Sequence, residues 1–237
     1  MNPGPRLSVG ETLNEVLALY QQHFGALIPV AFWLFLAVSI VGGLGGDGGT
    51  ALLLAAAVLA LAVGTLYQGM VVTLVHSARL GRRQTSVGEL IGSVGPVLPT
   101  LIATSVLAAV GTLAGLVFFI VPGCILLTIW AVIAPAVVIE RRDLSGAFRR
   151  SQQLTSGFGW PVFGAVIVAN LVAGIAAIVL GNVGEAIAGG PLLRIVFGAL
   201  AATFAAPISA LVAAVLYYRL LELKPDPPPA DAPPPVL

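Results

Sequence analysis

Charge is what this sequence has least of: Asp, Glu, Lys and Arg make up 9% of its residues, where a soluble domain carries about 25%. Residues 90–139 contain none. With 58% hydrophobic side chains and a mean hydropathy of +1.04, a water-soluble fold of 237 residues could not cover its own apolar surface. Cysteine is nearly absent too. Cys124 stands alone, which excludes an intrachain disulfide and any site built from several thiolates. Nor is there an excess of positive charge, the formal net being +1. A phosphate backbone needs a concentrated basic stripe, so nucleic acid is not expected as a partner.

What fills the chain instead is a series of long uncharged tracts. A hydrocarbon layer about 30 Å thick takes about 20 apolar residues per crossing helix. The tracts predict an all-α fold, a polytopic membrane helical bundle in which residues 1–223 form a single membrane domain. Six transmembrane helices are expected, at about 26–42, 51–75, 97–120, 124–139, 161–180 and 195–216. The glycine-rich run after Gly42 should end the first, and Val121-Pro122-Gly123 is the strong turn signal within residues 90–139. The fourth is short, about 24 Å long at 1.5 Å per residue. Pro135 inside it deprives the Ala131 carbonyl of its donor, so a kink is expected. Glu11 and Glu15 make the first 24 residues too polar for a cleavable signal peptide, and the first span should remain as an anchor.

Short amphipathic segments precede these spans in pairs. Ser8-Val9-Gly10-Glu11 reads as a capping box opening a helix whose Val9, Leu13, Val16, Leu17 and Tyr20 share one face. Ser86-Val87-Gly88-Glu89 repeats that signature, and Leu144, Phe148, Ser151 and Leu154 share a face in a third segment. The expected organisation is three hairpins, each preceded by a short surface helix, over residues 7–84, 85–143 and 144–223. Residues 224–237 form a Pro-rich tail without core-forming side chains, expected to be disordered.

With six spans, ten of the eleven Lys and Arg residues fall on one side and Arg194 alone on the other. The positive-inside rule then places both termini in the cytoplasm and makes the tail cytoplasmic.

Chemistry is sparse. No nucleophile with its base, phosphate loop or His-carboxylate cluster is visible, and His23 and His76 stand apart at the ends of apolar tracts. No catalytic residue, cofactor or metal is expected. No Asp, Glu, Lys or Arg lies in mid-span, where ion-coupled carriers place one. Asn170 and Gln68 are the strongest polar groups at membrane depth, read first as interhelical hydrogen-bonding groups and second as a solute site. Arg141, Arg142, Arg149 and Arg150 form the densest basic cluster. On a surface helix they are candidates for anionic lipid headgroups, or serve only to set topology.

Pro122-Gly123, Pro135, Glu140, Ala147, Arg150-Ser151, Leu154, Gly157 and Trp160, with Leu7-Ser8-Val9-Gly10-Glu11, Tyr20 and Phe24-Gly25 at the start, resemble bacterial membrane proteins related to the membrane domain of glycerophosphoryl diester phosphodiesterases. The resemblance implies a multi-span helical protein of a bacterial plasma membrane. It carries no phosphodiesterase activity, because in that group hydrolysis belongs to a separate barrel domain, for which no room is expected after Lys224. The leading expectation is a non-enzymatic protein that meets membrane lipids, a protein partner or a second copy through its basic cytoplasmic helices. The alternative is a small-solute transporter or permease subunit with its path near Asn170.

Overall fold

A computed structural model describes residues 7–45, 49–81, 87–187 and 190–224. Arg82, Arg83, Ser86, Asp47 and the Pro-rich tail lie outside them. The described residues form α1 (Val9–Gln22), α2 (Phe24–Gly45), α3 (Gly49–Arg79), α4 (Val87–Val94), α5 (Leu98–Phe118), α6 (Ile120–Ile129), α7 (Ile133–Val138), α8 (Leu144–Thr155), α9 (Gly159–Ile187) and α10 (Pro191–Leu223). A 3-10 turn, Gly95–Val97, joins α4 to α5, and no strand occurs among the described residues. Among the described residues six helical stretches are long and apolar enough to cross a membrane: Phe24–Gly43, Thr50–Arg79, Gly88–Phe118, Ile120–Val138, Gly159–Gly184 and Leu192–Leu223. The chain is an all-α protein of the multi-pass membrane type.

Local chemistry explains most of the element ends. The Ser8 hydroxyl caps α1 by accepting from the Glu11 N–H at 3.5 Å. The reciprocal half of the capping box does not form, because the Glu11 carboxylate accepts from Arg219 of α10 at 3.1 Å. A charge-assisted bond outcompetes a neutral amide. His23 alone separates α1 from α2.

Several boundaries differ from the sequence expectation. Helix α2 runs through Gly42 and Gly43 to Gly45. In hydrocarbon no water takes over freed backbone groups, so a helical glycine is less costly than a broken helix. Gly43 also permits contact with α10, since a Cβ there would lie 2.4 Å from Ile195 Cγ1. The turn between α5 and α6 falls at the single residue Phe119, whose backbone is extended (φ −155°, ψ 124°). Pro122 sits in the first turn of α6, where a missing N–H costs no intrahelical bond. Gly123 is pressed against α5, with Leu116 Cγ 2.5 Å from where its Cβ would be.

The fourth apolar stretch is broken at residues 130–132, and Pro135 lies in the first turn of α7 beyond the break. Ser151 of α8 fills the gap: its Oγ donates to the Ile129 carbonyl at 2.7 Å and accepts from the Val132 N–H at 3.3 Å. Helix α9 reaches Ile187, and α10 begins at Pro191 rather than near residue 195. Proline's fixed φ suits the first helical position.

Helix α10 is the axis of the bundle. It is the most buried of the six long stretches, and it packs against α9, α2, α3, α1, α7 and α8. Around its last five turns lie Tyr67, Val71 and Val75 of α3, Val132 and Val137 near α7, Leu154 of α8, and its own Leu211, Val215, Leu216 and Leu220, all buried. Burial is therefore deepest where the charged residues are. The stretch containing α5 is the least buried of the six.

Candidate functional site at the charged end

One turn of α10 reaches three different elements. Tyr217 and Tyr218 follow one another, about 100° apart around the helix, and so face different neighbours. Tyr217 donates its hydroxyl to Glu140 Oε1 at 2.8 Å, just beyond α7. The Tyr218 hydroxyl lies 2.5 Å from His76 Nδ1 on α3, and Arg79 sits over the Tyr218 ring, 4.5 Å from its centroid. Arg219 pairs with Glu15 at 2.8 Å and Glu11 at 3.1 Å, both on α1. Arg79 bonds Glu15 as well, and reaches Glu222 at 3.0 Å. Glu15 thus holds the ends of α3 and α10 against α1.

A second cluster is centred on Glu140. Its Oε1 accepts from Arg150 Nε at 2.7 Å and from Tyr217, and its Oε2 accepts from Arg142 Nε at 2.9 Å. Burial pushes the Glu140 carboxyl up, but hydrogen bonds from Arg150, Tyr217 and Arg142 together outweigh it and hold the group below its ordinary value. Asp143 caps α8 by accepting from the Gly146 N–H at 3.1 Å. The Ser145 hydroxyl and that N–H hold its carboxyl below the usual range.

The four arginines singled out from the sequence separate into two kinds. Arg142 and Arg150 are held by Glu140. Arg141 and Arg149 are exposed and form no ion pair with another described residue. Arg141 adopts φ +51°, a conformation uncommon for a side-chain-bearing residue. The Arg142 N–H meanwhile turns back to the Ala136 carbonyl at 3.4 Å, closing the end of α7.

The two polar residues at depth do not converge. Asn170 donates to the Val166 carbonyl at 2.8 Å and accepts from Ser209 Oγ of α10 at 2.8 Å. These two line an open groove of 330 Å³ between α9 and α10 whose remaining walls are Ala and Gly. Gln68 on α3 is half-buried, is not part of that groove, and makes no hydrogen bond to another described residue. Thr65 and Thr73 on the same helix turn inward to the Leu61 and Gly69 carbonyls.

A larger apolar groove, of 470 Å³, lies between α6 and the start of α9, with Ile120, Val121, Cys124, Thr128, Trp160 and Phe163 among its walls. Among the described residues no three His, Cys, Asp or Glu side chains come together in a way that could hold a metal ion.

Sequence reasoning found the basic residues but missed what holds them. Glu15, Glu140 and Tyr217 carry the two clusters, and no spacing in the sequence joins Tyr217 to Glu140. Glu11 and Glu15, four residues apart on one face of α1, are the local signal that two cations elsewhere had to meet.

Compared with protein-family models, with curated proteins and with solved structures, the chain matches none. The geometry of the charged end has to carry the functional argument by itself.

Proposed function

We propose that the chain is a non-enzymatic, multi-pass protein of a bacterial plasma membrane, with both termini cytoplasmic, whose charged end gathers anionic lipid headgroups. Its helices are read as three hairpins, each introduced by a surface helix, α1, α4 and α8. The observation that carries the reading is the division among the arginines. Glu140 pairs with Arg150, which is nearly buried, and with Arg142, which is half-exposed, while Arg141 and Arg149 stand exposed beside it without an ion pair to a described residue. Exposed cations next to a membrane surface attract anionic lipid by about 1 kcal/mol each. A docked acidic protein or a second copy of the chain would use the same two residues.

The resemblance to the membrane domain of glycerophosphoryl diester phosphodiesterases belongs to this proposal. Its support is that the quoted residues do architectural work: Ala147 and Leu154 are buried on α8, Ser151 bonds the α6–α7 break, Arg150 holds Glu140, and Gly157 adopts φ +84° before α9. Such a pattern would mark a scaffold and not a catalytic centre.

The test is lipid retention by the purified protein in nanodiscs mixing phosphatidylglycerol and phosphatidylcholine. Arg141→Gln with Arg149→Gln should lower the enrichment of phosphatidylglycerol around the protein several-fold. Arg142→Gln should change it little. Equal enrichment in the double variant and the parent would refute the reading.

A solute permease remains the second reading, favoured by the Asn170–Ser209 pair at the groove between α9 and α10. Uptake into proteoliposomes that is abolished by Asn170→Leu would establish it. An absence of uptake across amino acid, sugar and organic-ion classes would remove it.

A further inference from the structure

The geometry points to a re-entrant hairpin: α5 and α6 enter the bilayer from the side of α8 and turn round near its middle, so that Phe119 sits among lipid chain ends and never reaches the far surface. The inference rests on the membrane reading but not on the headgroup reading.

The first observation is the pin. Ser151 bonds Ile129 and Val132, which fixes the C-terminal end of α6 to α8. Helix α8 is itself held at the charged end. Arg150 on it pairs with Glu140, Lys224 donates to the carbonyls of Gln153, at 2.7 Å, and of Ser156, and Gln152 and Gln153 are exposed. From that pin back to the turn there remain only the 10 residues of α6, a rise of about 15 Å. The hydrocarbon layer is about 30 Å thick.

The second observation is where the turn lies. Ile120 and Val121 share a groove with Gly159 and Trp160, the first two residues of α9. That end of α9 is the charged end, because Lys224 sits over the ring of neighbouring Phe158, 5.8 Å from its centroid. The groove runs the whole length of α6, from Ile120 to Ile129, yet meets only Gly159, Trp160 and Phe163 of α9, so α6 lies across the start of α9 and not alongside it. Helix α5, 21 residues long, packs against α3, α6, α7 and α8. At about 32 Å it has to run strongly tilted for its end to stay near mid-depth.

The third observation is the chemistry of the tip. Val117, Phe118, Phe119, Ile120 and Val121 are each 69% exposed or more. Exposed to water, that surface would cost about 25 cal/mol per Å²; in hydrocarbon it costs nothing. The other two connections between long apolar stretches on that side are written differently, with Gly46-Asp47-Gly48 in one and Ala188-Gly189-Gly190 in the other. Both are suited to water. The distribution of arginines cannot distinguish a hairpin that crosses from one that turns back, because both return the chain to the same side.

The experiment places a bimane label on Phe119→Cys in a Cys124→Ser background. The protein is reconstituted into phosphatidylcholine vesicles brominated at different chain depths. Strongest quenching by bromines near the chain ends is expected. Strongest quenching by bromines nearest the glycerol would overturn the inference. On intact cells a membrane-impermeant maleimide should label Asp47→Cys and leave Phe119→Cys unlabelled, and equal labelling of both would also overturn it. Val121→Cys, two residues on, should repeat the depth result if the first variant folds poorly.

Discussion

Helices α9 and α10 on one hand, α5 and α6 on the other, are both neighbouring pairs of apolar helices, yet they are built into the molecule in opposite ways. The first pair supplies the axis of the bundle and is fastened along its length. Gly184 packs on Phe197 towards one end, Asn170 bonds Ser209 in the middle, and Lys224 meets Gln153 and Ser156 at the other. The second pair is fastened at one end only, through Ser151 and Glu140, and its tip presents bare Phe and Val side chains. Hydropathy alone treats the two alike. What separates them is the placement of polar fasteners, a few hydrogen bonds whose alternative in hydrocarbon is an unsatisfied group.

The comparison can be broken most forcefully at Glu140, which ties the end of α7 to both α8 and α10. Replacing it by Leu removes an acceptor shared by Arg150, Arg142 and Tyr217. A loss of about 3 kcal/mol is expected, the low end for removal of one partner from a buried ion pair, because the cluster is only half-buried. The unfolding midpoint in mixed dodecyl sulfate and maltoside micelles would register it, and a shift of under 1 kcal/mol would show that the two pairs are joined elsewhere. The sign with pH follows. Because the folded-state value of Glu140 is lowered, its contribution is complete above the ordinary carboxylate range and is lost as pH falls through the folded value. Glu140→Gln should flatten that acid limb.

Next in size come the two tight glycines. Gly184→Leu meets Phe197, with Cβ 2.3 Å from its Cβ, and Gly123→Leu meets Leu116. Each should cost about 1–3 kcal/mol of overpacking. Their consequences should differ in extent. The first should loosen the axis and expose the whole bundle to limited proteolysis, whereas the second should leave α9 and α10 resistant while α5 and α6 become cleavable. Matching cleavage patterns would erase the distinction between the pairs. The smallest effect is expected at Ser209→Ala, which removes one interhelical hydrogen bond to Asn170 and should cost about 0.6 kcal/mol in the same unfolding assay.

Much of the fold could be read in one dimension because the bilayer imposes it in one dimension. A run such as residues 90–139 is held to mostly helical backbone wherever it lies in hydrocarbon, whatever its neighbours are. The cap at Ser8 is equally local. The charged end was not legible, because its bonds join residues distant in the chain: Tyr217 to Glu140 across 77 positions and Arg219 to Glu15 across 204. Nothing periodic links such pairs. The four arginines were visible as a cluster, but which two are left without an ion pair depends on a single carboxylate and on the left-handed backbone at Arg141. Turn signals misled for a physical reason. Glycine and proline punctuate chains whose broken ends water can solvate, and in α2 and α6 both residues remain helical.

The run Tyr217, Tyr218, Arg219 also sets an order of assembly. Glu15 leaves the ribosome early and Arg219 follows 204 positions later, a wait of about 10–40 s at 5–20 residues per second. Through that interval α1 has α2, α9 and Arg79 to lean on but not α10, and the carboxylate of Glu140 lacks its tyrosine. The last of the six apolar stretches to be threaded is thus the one that closes on α1, α2, α3, α7, α8 and α9, and a nascent chain halted before it would be inserted but not yet closed.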